Sequence, residues 1–279
     1  MSEPADRNEH VTVIEPASGW EFPDFKELRE YQDLFYFLVW RNIKVLYAQT
    51  VLGFVWAILN PLVQIVIFGV IFGRVAKLQT DGIPYVLFST VAIIPWTYIS
   101  ESMTASSQSL VTGQSMLGKI YFPRVIYPVT PVLAKLVDFA ISLLLLVVVM
   151  IYYHVSPTWS LLYLPLMVLL MMAVPAGVGL WLSALAIRYR DVKFAMPFII
   201  RMLIYSAPIL YTASSIPDKY RLIYSLNPIV AVIEGYRDCL LGLPMSWEYI
   251  LPGTATAIII LVFGAMYFRR MERVFVDVI

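Results

Sequence analysis

Gly113-Gln-Ser-Met-Leu-Gly118-Lys119-Ile120 comes within one residue of a loop that cradles nucleotide phosphates. In that motif a Ser or Thr follows the Lys, because its hydroxyl coordinates magnesium, and the loop leads out of a buried strand. Here Ile120 occupies the hydroxyl position, and the preceding apolar run is a membrane-length helix. Nucleotide chemistry is therefore excluded from this loop. If ATP drives any work by this chain, both the nucleotide and its magnesium sit on another subunit. No cofactor is assigned to the chain itself.

No other grouping supplies catalysis. His10 and His154 are the only histidines and Cys239 the only cysteine. They allow no internal disulfide and no cysteine-based or His-rich metal centre. A membrane-embedded transferase needs clustered Asp, Glu or His at the membrane edge. The acids here are isolated, and His154 sits in Tyr153-His154-Val155-Ser156-Pro157 without an acidic neighbour. Catalytic residues: none; metal ligands: none.

Four charges fall inside apolar runs. Lys135 and Asp138 are three apart on one helix face and are expected to pair, a structural role ahead of a transport role. Glu101 lies among Ser100, Ser102, Thr104, Ser106 and Ser107, so its helix end is polar and faces a wet cavity. Arg201 raises the same question in a later run. Gly69 and Gly73 form a small-xxx-small pair suited to close helix packing, within the chain or across a dimer.

These residues need a scaffold, and the composition dictates which. Of 279 residues, 60% are hydrophobic and 14% charged, with a formal charge of +1; the mean hydropathy is +0.76. A soluble domain carries about 25% charged residues, so this surface meets lipid. A near-neutral chain gives no field for nucleic acid. A helix needs about 20 apolar residues to cross a bilayer. Six stretches qualify: roughly 52–73, 84–106, 127–152, 160–187, 195–212 and 248–268. Backbone groups cannot go unpaired in lipid, so all six must be helical. The expected fold is an all-α integral membrane protein with six transmembrane helices.

Residues 1–24 are polar and acidic and lack the basic start and early apolar core of a signal peptide. With that end inside, the inner flanks hold Lys26, Arg29, Arg41, Lys44, Lys119, Arg124, Arg188, Arg190, Lys193, Arg269, Arg270 and Arg273. The outer loops hold Arg74, Lys77, Lys219, Arg221 and Arg237. Twelve against five places both termini in the cytoplasm. Residues 25–47 repeat Phe25, Leu28, Leu34, Phe35, Leu38 and Val39 at helical spacing between charges, which predicts an amphipathic helix in the inner interface. Residues 48–279 form the transmembrane domain. Within it, Thr212 to Trp247 is too polar to cross and too apolar for a free loop. Asn227-Pro228 is a helix-start signal, so short helices at the outer face that dip toward the membrane are expected, carrying Glu234 and Arg237.

The connector after the decoy loop continues Tyr121-Phe122-Pro123-Arg124-Val125-Ile126-Tyr127-Pro128. Aromatics and cations on the cytoplasmic side suit a partner-docking element; a headgroup-level membrane loop is the plainer reading. Most of the 18 Tyr, 15 Phe and 7 Trp belong to interfacial belts or packing, although aromatic faces lining a pore would also suit sugar rings.

At this point the residues resemble a known family, the permease subunits of ABC exporters for bacterial polysaccharides such as O-antigen, capsule and teichoic acid. Asp33-Leu34-Phe35-Tyr36-Phe37-Leu38-Val39-Trp40-Arg41, leading into Gln49-Thr50-Val51-Leu52-Gly53 and Trp56-Ala57-Ile58-Leu59-Asn60-Pro61-Leu62, is similar to its N-terminal region. Gly118-Lys119-Ile120-Tyr121-Phe122-Pro123-Arg124 resembles its cytoplasmic loop. Arg188-Tyr189-Arg190-Asp191-Val192 resembles the stretch after helix four, and Leu226-Asn227-Pro228 with Glu234, Gly235 and Arg237 its outer re-entrant region. Where the family usually has a more basic run after Trp40, this chain has Arg41-Asn42-Ile43-Lys44. The resemblance implies two permease chains, two nucleotide-binding ATPase subunits, and a lipid-linked polysaccharide moved outward across the bacterial inner (cytoplasmic) membrane. It implies that helices one and five line the channel, with Trp56, Phe68 and Tyr205 the aromatics to test. It also implies that Arg41, Lys119, Tyr121, Phe122 and Arg124 meet the ATPase. Export of another amphiphile, a drug or a simple lipid, is the alternative cargo.

Overall fold

The computed structural model describes residues 25–48, 53, 55–78, 80–114, 122–189 and 191–272, and every regular element among them is a helix. Four are long and apolar enough to cross a bilayer by length and composition: Val55–Val75, Ile126–Tyr152, Trp159–Arg188 and Trp247–Glu272. Only 17–33% of the residues in their most apolar windows are buried by this chain. Val66 and Ile67, Val147 and Val148, Leu166 and Leu169, and Ile258 and Ile259 all point outward. Apolar faces of that extent are untenable in water and suit acyl chains.

The first membrane helix, α3 (Val55–Phe68), widens into a π-helical turn over Gly69–Val75. It follows α1 (Phe25–Glu30) and α2 (Gln32–Tyr47). The apolar residues of α1 and α2 split into two groups. Leu28, Tyr31, Leu34, Phe35 and Leu38 pack on the protein. Tyr36, Phe37, Trp40 and Val45 stand exposed. A helix with one apolar stripe on protein and another left bare fits a lipid boundary better than water.

Helix α4 (Tyr85–Thr112) differs from the four spans. At 28 residues it is long enough, but its Ser and Thr residues lower its hydropathy, and it is the most thoroughly buried of the long helices. Most of those hydroxyls have partners, Thr97 Oγ1 and Ser102 Oγ being the exceptions. Ser89 and Thr90 donate to the Val86 carbonyl, Thr104 to Ser100, Ser107 to Thr104 and Ser109 to Ser106. Such back-bonding lets a polar helix be buried with few unpaired groups. Two further hydroxyls tie α4 to α5 (Ile126–Ala134): Tyr98 donates to the Val132 carbonyl at 2.8 Å and Ser106 to Pro128 at 2.6 Å.

The 126–152 rod breaks at Lys135, between α5 and α6 (Leu136–Tyr152). A 3₁₀ turn at Trp159–Tyr163 then leads into α7 (Leu164–Arg188). The stretch 195–212, expected as a fifth crossing, is not one continuous helix. α8 runs Val192–Met202, a 3₁₀ turn follows at Leu203–Ser206, and Ala207 is extended. Pro208 explains the stop, because proline disfavours helical backbone in the residue before it.

Short helices do precede the last one. α9 spans Asp218–Ser225, α10 Pro228–Leu241 and α11 Trp247–Glu272. The Asn227 side chain accepts from Ile229 N–H at 3.0 Å, Pro228 fills the first turn, and Gly242 closes α10 at φ +68°. The start signal read from Asn227-Pro228 thus operates as cap plus pre-set φ.

In lipid, helices gain little by leaving the solvent, so association rests on close packing. α7 crosses α11 at Gly177 and Gly264, where a Cβ on Gly177 would lie 2.7 Å from the Leu261 backbone and one on Gly264 2.4 Å from the Gly177 carbonyl oxygen. Gly69 and Gly73 pack within the chain, against Val86 and Tyr85 of α4. Gly113 of the decoy loop has its own packing reason, since a Cβ there would meet the Tyr127 ring at 2.1 Å.

Candidate functional site: a polar groove among apolar helices

A groove of about 930 Å³ opens between α3, α4, the α5–α6 break and α8. α3 contributes Trp56, Asn60, Gln64 and Phe68, four residues each four apart, which align as one stripe. α4 contributes Trp96, Tyr98, Glu101, Thr104 and Gln108 across from them. Lys135, Asp138 and Ser142 line it from the break onward, and Arg201 lines it from α8.

The charges form one connected cluster. Lys135 Nζ lies 2.7 Å from Glu101 Oε2 and 2.8 Å from Asp138 Oδ2. The Tyr47 hydroxyl, at the end of α2, donates to the other oxygen of Asp138. Ser142 Oγ donates to the Ala57 carbonyl of α3 and the Asp138 carbonyl. The side chains keep 15%, 33% and 19% exposure for Lys135, Glu101 and Asp138, so the cluster borders the groove without being sealed from it. The expected Lys135–Asp138 pair forms, and Glu101 joins it. With Arg201 the groove is formally neutral, so it offers donors, acceptors and aromatic faces without a net field. That chemistry suits hydroxyl-rich chains passing along it; no group of three or more Asp, Glu, His or Cys among the described residues is placed to hold a metal ion.

Trp56 and Phe68, picked from sequence as channel aromatics, both line this groove, whereas Tyr205 is exposed and not among its lining residues. Sequence reasoning missed Tyr47, Asn60 and Gln64. The last two left a signal, since amides four apart inside an apolar run are costly unless they share a wet face. Tyr47 left none, because its role depends on where α2 ends against α6.

On the cytoplasm-assigned loop, Phe122 is 3% exposed and stacks on Tyr127 at 5.6 Å, so it packs inward and offers no face to a partner. The Arg124 N–H donates to Glu272 Oε1 at 3.2 Å and its guanidinium to the Glu272 carbonyl at 3.4 Å, fixing the loop to the end of α11. Lys119 and Tyr121 lie outside the described residues. Arg41 lies on α2 and lines a second cavity.

On α10, Arg237 is 2% exposed and pairs with Glu234 at 2.7 Å. Its guanidinium lies 3.6 Å from the centre of the Phe88 ring. Burial pushes the Glu234 carboxyl above its usual range, and the Arg237 charge opposes that rise. Asp238 accepts from the Ser246 N–H at 2.7 Å, closing the α10–α11 connection.

Several known proteins share this sequence pattern over most of its length. The chain is 28% identical over 248 residues to the O-antigen export system permease protein RfbA of Klebsiella pneumoniae, covering 88% of this chain and 95% of that one. It is 28% identical over 214 residues to the protein of that name in Myxococcus xanthus, 76% of this chain and 82% of the other. It is 23% identical over 206 residues to the polysialic acid transport protein KpsM of Escherichia coli, 72% and 78% respectively. The family pattern of the ABC-2 type transporters matches residues 33–241, a stretch holding α2 through α10 and with them the whole groove, and the chain belongs to that family.

Proposed function

We propose that this chain is the membrane-spanning permease subunit of an ATP-driven exporter that moves a lipid-linked polysaccharide from the cytoplasmic to the outer face of the bacterial inner membrane. One observation carries the reading most: a large groove, amphipathic in its lining, set among helices with lipid-type surfaces. Aromatic faces and amides suit sugar rings, which present C–H faces and hydroxyls. The relatives named for O-antigen export and polysialic acid transport support the cargo class.

In this reading the chain crosses six times, at α3, α4, α5–α6, α7, the α8–212 stretch and α11, with both termini in the cytoplasm. α4 crosses despite its polarity because its neighbours, not lipid, surround it. The groove lies between the first and fifth stretches, and a second copy of the chain closes it. A separate nucleotide-binding ATPase docks on Arg41, Lys119, Tyr121 and Arg124, with Phe122 bracing the loop from behind. ATP and magnesium belong to that partner.

Two measurements test this. Gentle purification from the native cell is expected to bring down a stoichiometric P-loop ATPase; its absence, where a known transporter keeps its own, overturns the reading. Deletion of the gene is expected to strip polysaccharide from the cell surface. Intact polysaccharide with lost tolerance to a drug or lipid would transfer the same architecture to another amphiphile.

A further inference from the structure

The ion cluster of the groove is not balanced within itself, and its two carboxylates are used differently. Lys135 is shared by both, so the trio carries one negative charge in excess. Both oxygens of Asp138 are engaged, one by Lys135 and the other by the Tyr47 hydroxyl. Glu101 meets Lys135 through Oε2 alone. Its Oε1 has no hydrogen-bond partner among the described residues, and at 33% its side chain is the most exposed of the three. The groove therefore shows a passing chain one free carboxylate oxygen, and the ammonium behind it is already engaged.

The rest of the lining does not favour an anion either. The stripe on α3 carries no charge, and neither do residues 49–54 before it in the sequence. Among the described residues the one other charge lining the groove is Arg201, exposed on α8 and in no ion pair with them. That cation only offsets the excess of the cluster. It leaves nothing for a polymer with a carboxylate in every repeat, and a second copy of the chain would double both signs alike. An acidic sugar here would give up water between apolar helices and face a like charge, both of which are unfavourable. A neutral sugar instead donates a hydroxyl to Oε1 in a charge-assisted hydrogen bond.

Resting on the polysaccharide-permease reading, we infer that the groove selects uncharged glycans, with the free oxygen of Glu101 accepting sugar hydroxyls and turning acidic sugars away. Specificity of this kind combines an attractive and a repulsive element, and one carboxylate supplies both. Lys135 positions that carboxylate at the wall of the groove.

Sugar analysis of the polysaccharide that deletion of the gene strips from native cells is the first test. Neutral repeats are expected. A carboxylate in every repeat would overturn the inference and leave the permease reading standing, whereas an unchanged surface would remove that reading and the inference with it. The second test uses the full chain with its ATPase partner, in cells that build the exported polymer either unmodified or with one hexose per repeat replaced by the corresponding hexuronic acid. Surface display of the acidic polymer relative to the neutral one is expected to be about tenfold lower. Glu101→Gln keeps the shape and removes the charge, and it is expected to raise that ratio about tenfold; Glu101→Asp keeps the charge and the low ratio. Thermal unfolding confirms that each variant is folded. A merely structural effect of the substitution would lower both cargoes together and leave the ratio unmoved. Equal display of the two polymers by the unaltered chain, or an unmoved ratio in Glu101→Gln, would overturn the selection.

Discussion

At the scale of residues, Lys135 shows how a charge is tolerated inside an apolar bundle. Glu101 and Asp138 hold it at hydrogen-bond distance from two helices, and Tyr47 braces Asp138 from a third. Removing one member of a sealed ion pair costs about 3–5 kcal/mol, because the remaining charge is stranded. The groove leaves these side chains partly wet, so Lys135→Met is expected to cost less, about 1–2 kcal/mol. Adding Glu101→Gln and Asp138→Asn should return most of that loss, read by thermal unfolding in detergent. A fully additive triple variant would mean that the three do not act as a unit. Arg237 behaves differently, because it is sealed. Arg237→Met strands Glu234 and is expected to cost about 3–5 kcal/mol. Arg237→Lys keeps the charge but loses the flat stack on Phe88, for about 1–2 kcal/mol. If the two variants melted alike, the charge that lysine keeps would contribute nothing, and the loss would belong to the guanidinium's stack and geometry.

At the scale of elements, the α7–α11 crossing depends on two missing side chains. Gly264→Ala would drive a methyl into the Gly177 carbonyl, and backbone cannot step aside as a rotamer can. A loss of about 1–3 kcal/mol is expected, seen as a lower melting point and a poorer yield of folded protein. Gly69→Ala meets only the tip of Val86 at 3.3 Å and should be nearly silent, so equal damage at both sites would refute the crossing. Much of this architecture was legible as apolar length: among the described residues, the runs 52–73 (from Val55 on), 127–152, 160–187 and 248–268 fall on long helices. The run 84–106 was legible as a helix but not as the hub, since hydroxyl-rich α4 is buried only because its neighbours cover it. The run 195–212 was legible as apolar length but not as an interrupted stretch, because hydropathy is blind to Pro208 and to the extended Ala207 before it. The groove was half legible. Glu101, Lys135 and Asp138 announced themselves as charges in apolar runs, and Trp56 and Phe68 as aromatics. That they share one cavity with Tyr47 depends on tertiary assembly, which no spacing along the chain encodes.

At the scale of the whole molecule, orientation ties every proposed role to a side of the membrane. Lys and Arg are retained on the cytoplasmic side during insertion, and the twelve-to-five split among flanking cations assigns the α4–α5 loop inward and the α6–α7 turn outward. Arg41, the second cavity that it lines and the loop before Arg124 must then share the inner face, whereas Asn227, Glu234 and Arg237 lie toward the outer one. Cys239 is 1% exposed, so replacing it by Ser leaves a background in which single cysteines can be placed at will. In that background Gln114→Cys should react with a membrane-impermeant maleimide only after the cells are opened. His154→Cys, in the turn after α6, should react in intact cells. An added cysteine at Lys219, at the start of α9, should also react from outside, and this third site decides the crossing count. Between His154 and Lys219 the chain contains α7 and the broken α8 stretch. Outward reactivity at both ends requires two crossings there, so α8 and the residues to 212 must traverse the bilayer together despite the interruption. Inward reactivity at Lys219 would leave α7 as the only crossing in that interval, place Arg237 on the cytoplasmic side, and remove the fifth wall of the proposed channel.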